Sequence, residues 1–288
     1  MKSIDISVSG FNIRLQSESI GNIALEEGYI PFINDTPSDK CDVIIKSVAG
    51  ISSELLIPGK VIFEAKNESQ LFFSISQYAN DYKFSIYSQE KPDEIQQIAI
   101  LKKDLSSWTV YSANTVQPVY PLLYPLGALV LYYLTVKYDA VMIHASGVFD
   151  GNKGRIFTGF SGVGKSTMAG LWMNKGNLIV NDDRLIIRKE KDGYFMHNTP
   201  MFYRDQPKKT RLHSINLIRH AKENSIHQIS GAQAVSKVMA FCIQHSYNAS
   251  VLEHHLDFIS GLCNHIKVFE VGFTPDEKII DFIKSHED

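Results

Sequence analysis

The chain has 288 residues, of which 44% are hydrophobic and 21% charged, and its net charge is −2. These values fit one large globular domain or two modest ones, and they make no electrostatic case for nucleic acid or an anionic membrane as partner. Cys41, Cys242 and Cys263 are too few and too scattered for a disulfide framework, which suits a reducing cytoplasm.

The start, Met1-Lys2-Ser3-Ile4-Asp5, carries a charge but no apolar stretch, so no signal peptide is expected. Short alternating runs follow, bounded by Asn, Asp, Gly or Pro: Ile4–Val8, Phe11–Leu15, Asp42–Ile45, Lys60–Ala65, Tyr82–Tyr87, Ile95–Ile100 and Trp108–Tyr111. They predict an antiparallel β-rich module over 1–115. No catalytic constellation stands out in it, and its role stays open between substrate recognition, partner contact and cover for the rest of the chain.

A connector, Gln117-Pro118-Val119-Tyr120-Pro121, leads into an apolar run at 122–134. That run contains a proline and is short for a bilayer, so it predicts a buried helix over about 122–137. Ala140–Val148 reads as a strand carrying His144. A turn at Asp150-Gly151-Asn152 then feeds the strand Arg155–Thr158.

Next comes Gly159-Phe160-Ser161-Gly162-Val163-Gly164-Lys165-Ser166, which matches G-x-x-x-x-G-K-[ST] at every fixed position. Glycines let consecutive N–H groups converge on phosphate oxygens, Lys165 supplies a point charge, and the Ser166 hydroxyl suits Mg²⁺. Thr167 continues into a helical pattern whose N-terminus favours an anion. Expected nucleotide contacts are Gly159, Ser161, Gly162, Val163, Gly164, Lys165, Ser166 and Thr167.

After Lys175-Gly176, an apolar strand over 177–188 holds Asp182 and Asp183. Two carboxylates there are costly to bury unless compensated, and Mg²⁺ beside phosphates would compensate them. Neighbours on a strand point to opposite faces, so the two should differ in role: one on the metal, one accepting a proton from an incoming hydroxyl. The competing reading is an acidic turn paired with Arg184 or Arg188. His144 either orients the base, ligates a metal, or is a satisfied core histidine. Downstream, Asp192-Gly193 reads as a hairpin turn and 196–213 as irregular, with Arg204 in it. A strand at 215–218, helices at 231–246 and 250–262, and a strand at 266–271 follow. The last helix is expected to open on Thr274-Pro275-Asp276-Glu277 as a capping box. Cys242, His245, His254, His255, Cys263 and His265 lack two matched metal-binding pairs, and read as core and surface residues.

His144-Ala145-Ser146-Gly147-Val148, the glycine loop and Asn181-Asp182-Asp183-Arg184, in that order and close together, resemble the catalytic domain of HPr kinase/phosphorylase and the broader bacterial HPr-kinase-like group. Phosphoenolpyruvate carboxykinase shares that nucleotide-binding core. The resemblance covers roughly 117–288. With the β-rich module read from the runs over 1–115, the expected fold is α+β, and the resemblance implies an α/β P-loop domain with a mixed sheet over 116–288. It implies ATP and Mg²⁺ as cofactors, Asp182 as general base, His144 tuning that base, Lys165 on the phosphates, Ser166 and Asp183 on the metal, and Arg204 on a transferring or product phosphate. The acceptor it implies is a hydroxyl, with serine favoured, on a protein, peptide or small molecule, and homo-oligomers are common in the group. The arginine–glycine signature that follows the aspartates in HPr kinase is not found in Thr199–Asp205, so the resemblance does not carry HPr itself as substrate. Two other readings stay open: a carboxykinase-like enzyme, and a nucleotide-binding regulatory module without catalysis.

Overall fold

The computed structural model describes residues 3–17, 23–36, 39–67, 70–114, 118–245 and 247–287. Met1, Lys2, Gln117 and Ser246, touched by the readings above, lie outside the described residues. The chain is α+β with two mixed sheets and divides into two compact units. One comprises Met1–Lys137, Pro200–Gln206 and His245–Tyr247; the other comprises the rest.

Among the described residues the first unit is built on eight strands: β1 (Ser3–Val8), β2 (Phe11–Ser17), β3 (Val43–Ala49), β4 (Lys60–Asn67), β5 (Gln70–Tyr78), β6 (Asp81–Tyr87), β7 (Ile95–Leu101) and β8 (Ser107–Ser112). Their order is β1-β2-β3-β8-β7-β6-β5-β4. Alternation drives them: along β2, Phe11, Ile13 and Leu15 are buried while Asn12, Arg14 and Gln16 are half-exposed. The expectation of a purely antiparallel module is corrected, because β3 pairs in parallel with both β2 and β8. A long connection containing a 3-10 helix, Glu27–Phe32, gives the chain room to cross over before β3. A four-residue helix, α1 (Ser53–Leu56), precedes β4.

Helix α2 (Leu126–Lys137) is apolar almost all round, the pattern of a buried helix. It clusters with this first unit, so contacts divide the chain after Lys137 and not at the expected 115/116 boundary. The reason is aromatic packing: the Tyr133 ring meets Phe84 at 5.5 Å and Trp108 at 5.7 Å. His245 returns to the same cluster, 4.2 Å from the Tyr132 ring. Pro200–Gln206 also joins it, and Gly28 makes room, since a Cβ there would stand 1.6 Å from the Met201 carbonyl oxygen.

The second unit holds seven strands: β9 (Ala140–Phe149), β10 (Gly154–Thr158), β11 (Leu178–Glu190), β12 (Gly193–Asn198), β13 (Lys209–His220), β14 (Ser225–Ile229) and β15 (Lys267–Phe273). Their order is β10-β9-β11-β12-β13-β15-β14, with a further β10–β13 pairing. Its helices are α3 (Lys165–Asn174), α4 (Gly231–Met239), α5 (Ala249–His265) and α6 (Lys278–His286). One core packs Phe157, Met168, Trp172, Phe273 and Ile279, while another packs Ile143, Leu185, Val238, Ile259 and Leu262.

Three sequence expectations are corrected here. The stretch 196–213 is not irregular throughout, since the end of β12 and the first part of β13 occupy its two ends. The helix expected over 231–246 stops at Met239, because the following segment pairs with β9 through His144 N–H to Phe241 O (3.0 Å) and Ile243 N–H to Met142 O (2.8 Å). The last helix begins at Lys278, and Asp276 rather than Thr274 accepts its first amide (2.8 Å). Thr274 is instead held by Asn224, which accepts from its N–H (2.9 Å) and hydroxyl (3.1 Å). Among the described residues no helix is long and apolar enough to cross a membrane.

Candidate active site

The glycine-rich loop leaves β10 after Thr158 and enters α3 at Lys165, as a strand–loop–helix motif requires. Gly162 (φ +77°) and Gly164 (φ +97°) sit in the left-handed region that β-carbons disfavour. At Gly164 a Cβ would also stand 2.9 Å from the Phe273 ring. Phe273 is stacked on His220 at 5.4 Å, so the ends of β13 and β15 form a firm wall behind the loop. Ser161, Gly162, Ser166 and Thr167 are exposed, whereas Lys165 is buried. The Lys165 ammonium donates to the carbonyls of Gly159 and Phe160, at 3.2 Å each. Burial lowers its pKa, against the opposing pull of Asp182 and Asp183.

Beside the loop, β9 lies between β10 and β11. Register places Thr158, Ala145 and Asp183 across from one another, and likewise Phe157, Ser146 and Asp182. A bulge between Ile179 and Asn181 sets that register just before the aspartates. Asn181, almost fully buried, then clamps the acidic turn of strand. Its Oδ1 accepts from the Asp182 amide (2.9 Å), and its Nδ2 donates to the Arg184 carbonyl (2.8 Å). Thr199 adds a hydroxyl to the same carbonyl at 2.9 Å.

The aspartates do differ in surroundings, as strand alternation requires. The Ser146 hydroxyl, fully buried, donates to Asp182 Oδ1. Asp183 lies 3.9 Å from His144 Nε2 and 3.7 Å from Arg184 Nε, with its side chain 44% exposed. Burial lowers the His144 pKa, and the charge of Lys165 lowers it further, while Asp183 opposes them. His144 is thus a neutral imidazole near neutral pH. Its position is fixed by two backbone contacts: its N–H on Phe241, and its carbonyl accepting from the Thr158 hydroxyl (2.7 Å).

The second unit therefore brings His144, Lys165, Ser166, Asp182 and Asp183 to one end of its sheet. Arg204 is exposed and belongs to the Pro200–Gln206 segment of the first unit. Ser146, Thr158, Asn181 and Phe241 were missed as contributors. Ser146 and Asn181 lay within the quoted motifs, but only the strand register shows what their side chains touch. Phe241 packs edge-on against the loop's exposed Phe160 at 5.2 Å, a contact that no local pattern announces.

No protein-family model matches the chain, and no curated protein matches it. Among solved structures, the HPr(Ser) kinase/phosphatase from Coxiella burnetii is similar over 50% of this chain and 95% of that one, at 10% identity and a TM-score of 0.31. A likeness at that level assigns no activity.

Proposed function

We propose that the second unit is an ATP- and Mg²⁺-dependent phosphotransferase that moves the γ-phosphoryl group to a hydroxyl, a serine in a protein or peptide or an alcohol on a small molecule. The observation that carries this reading is the placement of a glycine loop with its buried lysine beside an aspartate whose carboxylate is oriented by a buried serine hydroxyl. The donor set suits ATP and Mg²⁺. Gly162 and Gly164 hold a loop open that side chains would strain, and Lys165 brings a cation to its inner side. Ser166 and Asp183 offer the hard oxygen ligands that Mg²⁺ takes. When bound, the ion would neutralise charge on the phosphates.

In this reading Asp182 is the general base. Ser146 occupies Oδ1, which leaves Oδ2 for the acceptor hydroxyl. As the acceptor oxygen bonds to the γ-phosphorus, its proton passes to Asp182, the bridging oxygen–phosphorus bond breaks, and ADP leaves with the electron pair. Lys165 meets the charge on the transferring group. His144, neutral and next to Asp183, positions that carboxylate rather than carrying the proton.

The test separates binding from transfer. Asp182→Asn is expected to keep nucleotide affinity within a few-fold while transfer falls by roughly 10²–10⁴. Undiminished transfer in that variant would remove Asp182 from the base role.

A further inference from the structure

A crevice of about 470 Å³ opens in the second unit where β13 changes partners. Arg211 stands opposite Phe195 of β12, and the next residue, Leu212, stands opposite Gly154 of β10. Two glycines permit the crossover. A Cβ on Gly154 would lie 2.2 Å from the Arg211 carbonyl oxygen, and one on Gly193 would lie 3.3 Å from the Arg211 guanidinium. Arg211 consequently lies over the tip of the β11–β12 hairpin, and the end of α5 at His265 closes the other side. The volume falls in the range of small-molecule sites, about 300–1,000 Å³.

The charge in this crevice is uncompensated. Lys189, Lys191 and Arg211 line it, and among the described residues none of their side chains has a hydrogen bond or ion pair. The lining carboxylate, Glu190, is already held by Lys209 and by His197. His213 completes the lining, its Nδ1 2.9 Å from the Gly154 amide nitrogen and 3.1 Å from the Arg211 carbonyl oxygen, so its tautomer follows whichever of the two bonds forms. Beneath these groups lie Tyr194, Leu212 and Ile266, all buried, an apolar floor. Three cations held near one another repel unless an anion joins them, and guanidinium and ammonium donors match oxyanions.

We infer that this crevice binds a small organic oxyanion carrying at least two negative charges, with its carbon skeleton on the apolar floor. The site is separate from the glycine loop. Gly154 and Thr158 are opposite ends of β10, roughly 13 Å apart along a strand, and the loop follows Thr158. Phosphate esters and polycarboxylates share the required chemistry, and the experiment distinguishes them.

The full chain is titrated calorimetrically with citrate and with pyrophosphate, as wild type, as Lys165→Ala, and as the Lys191→Ala/Arg211→Ala double variant. Lys191 and Arg211 are exposed, so the fold is expected to survive, and circular dichroism checks it. At least one anion should bind the Lys165→Ala chain, and that binding should weaken at least roughly tenfold when the crevice changes are added. Citrate alone would indicate a polycarboxylate; pyrophosphate alone would indicate a phosphorylated ligand. Loss of all binding in Lys165→Ala, or binding indifferent to the crevice changes, would overturn the inference. Neither result bears on phosphoryl transfer at the loop, which Asp182→Asn tests separately.

Discussion

The Ser146 hydroxyl donates to Asp182 Oδ1 from the directly opposite position on the neighbouring strand. Ser146 has no exposed surface, so its hydrogen bond is shielded from competing water. Ser146→Ala removes that donor and frees the carboxylate to rotate. Transfer should slow by roughly tenfold, the worth of one charge-assisted bond, with the KM for nucleotide unchanged. Steady-state kinetics of the purified variant checks this split.

The state of His144 gives a pH dependence with a definite sign. Burial first, and the Lys165 charge second, depress its pKa below the ordinary value of about 6.5. The imidazole is therefore neutral above that pH and gains its proton only on the acid side. With respect to this group the transfer rate should be level above about pH 6.5 and fall below it. A pH–rate profile of His144→Gln should lack or displace that limb.

Two buried histidines should control stability in the same pH range. Burial pushes His197 down to about 4, against the pull of Glu190, and pushes His255 down to about 4 as well. Depressed histidine pKa values mean that the unfolded chain binds protons first. Stability is complete above about pH 6.5 and is lost as pH falls toward 4, on the order of 3 kcal/mol per histidine. Thermal melts across that window should show the slope, and His255→Gln should reduce it.

Arg155 is fully buried, yet it is fully paired. Its Nε and Nη2 grip Glu287 at 2.6 and 2.8 Å, its Nη1 reaches Asp150 at 2.8 Å, and the guanidinium lies 4.8 Å from the Trp172 ring. Arg155→Met would strand the buried Glu287 carboxylate, while Asp150 keeps the amides of Asn152 and Lys153 and has Lys284 at 3.6 Å, and should cost about 3–5 kcal/mol in denaturant unfolding. A loss below about 1 kcal/mol would mean that the carboxylates find other partners or water.

Local chemistry carried much of this structure. Alternation located β1 and β2, a continuous apolar run located β9, and the glycine loop stood out because its chemistry is consecutive in sequence. Asp182 and Asp183 were legible because carboxylates in an apolar strand demand a reason. What remained hidden was set by pairing between distant segments. β5 was missed because Leu71-Phe72-Phe73 breaks its alternation, and β3 runs parallel to its neighbours for reasons that lie in the connections. The end of α4 is fixed by backbone pairing to β9, which helix propensity cannot anticipate. The apolar helix at 126–137 was found, but its partner was not, because Phe84 and Trp108 lie far off in sequence.

The central claim is phosphoryl transfer by the loop and Asp182 together. Its most direct test is incubation of the purified chain with γ-labelled ATP and Mg²⁺ in a bacterial lysate, beside Asp182→Asn and Lys165→Ala. The account predicts label on a discrete protein or metabolite, absent with both variants. Nucleotide binding without transfer above the variants would contradict it and leave a nucleotide-binding module in its place.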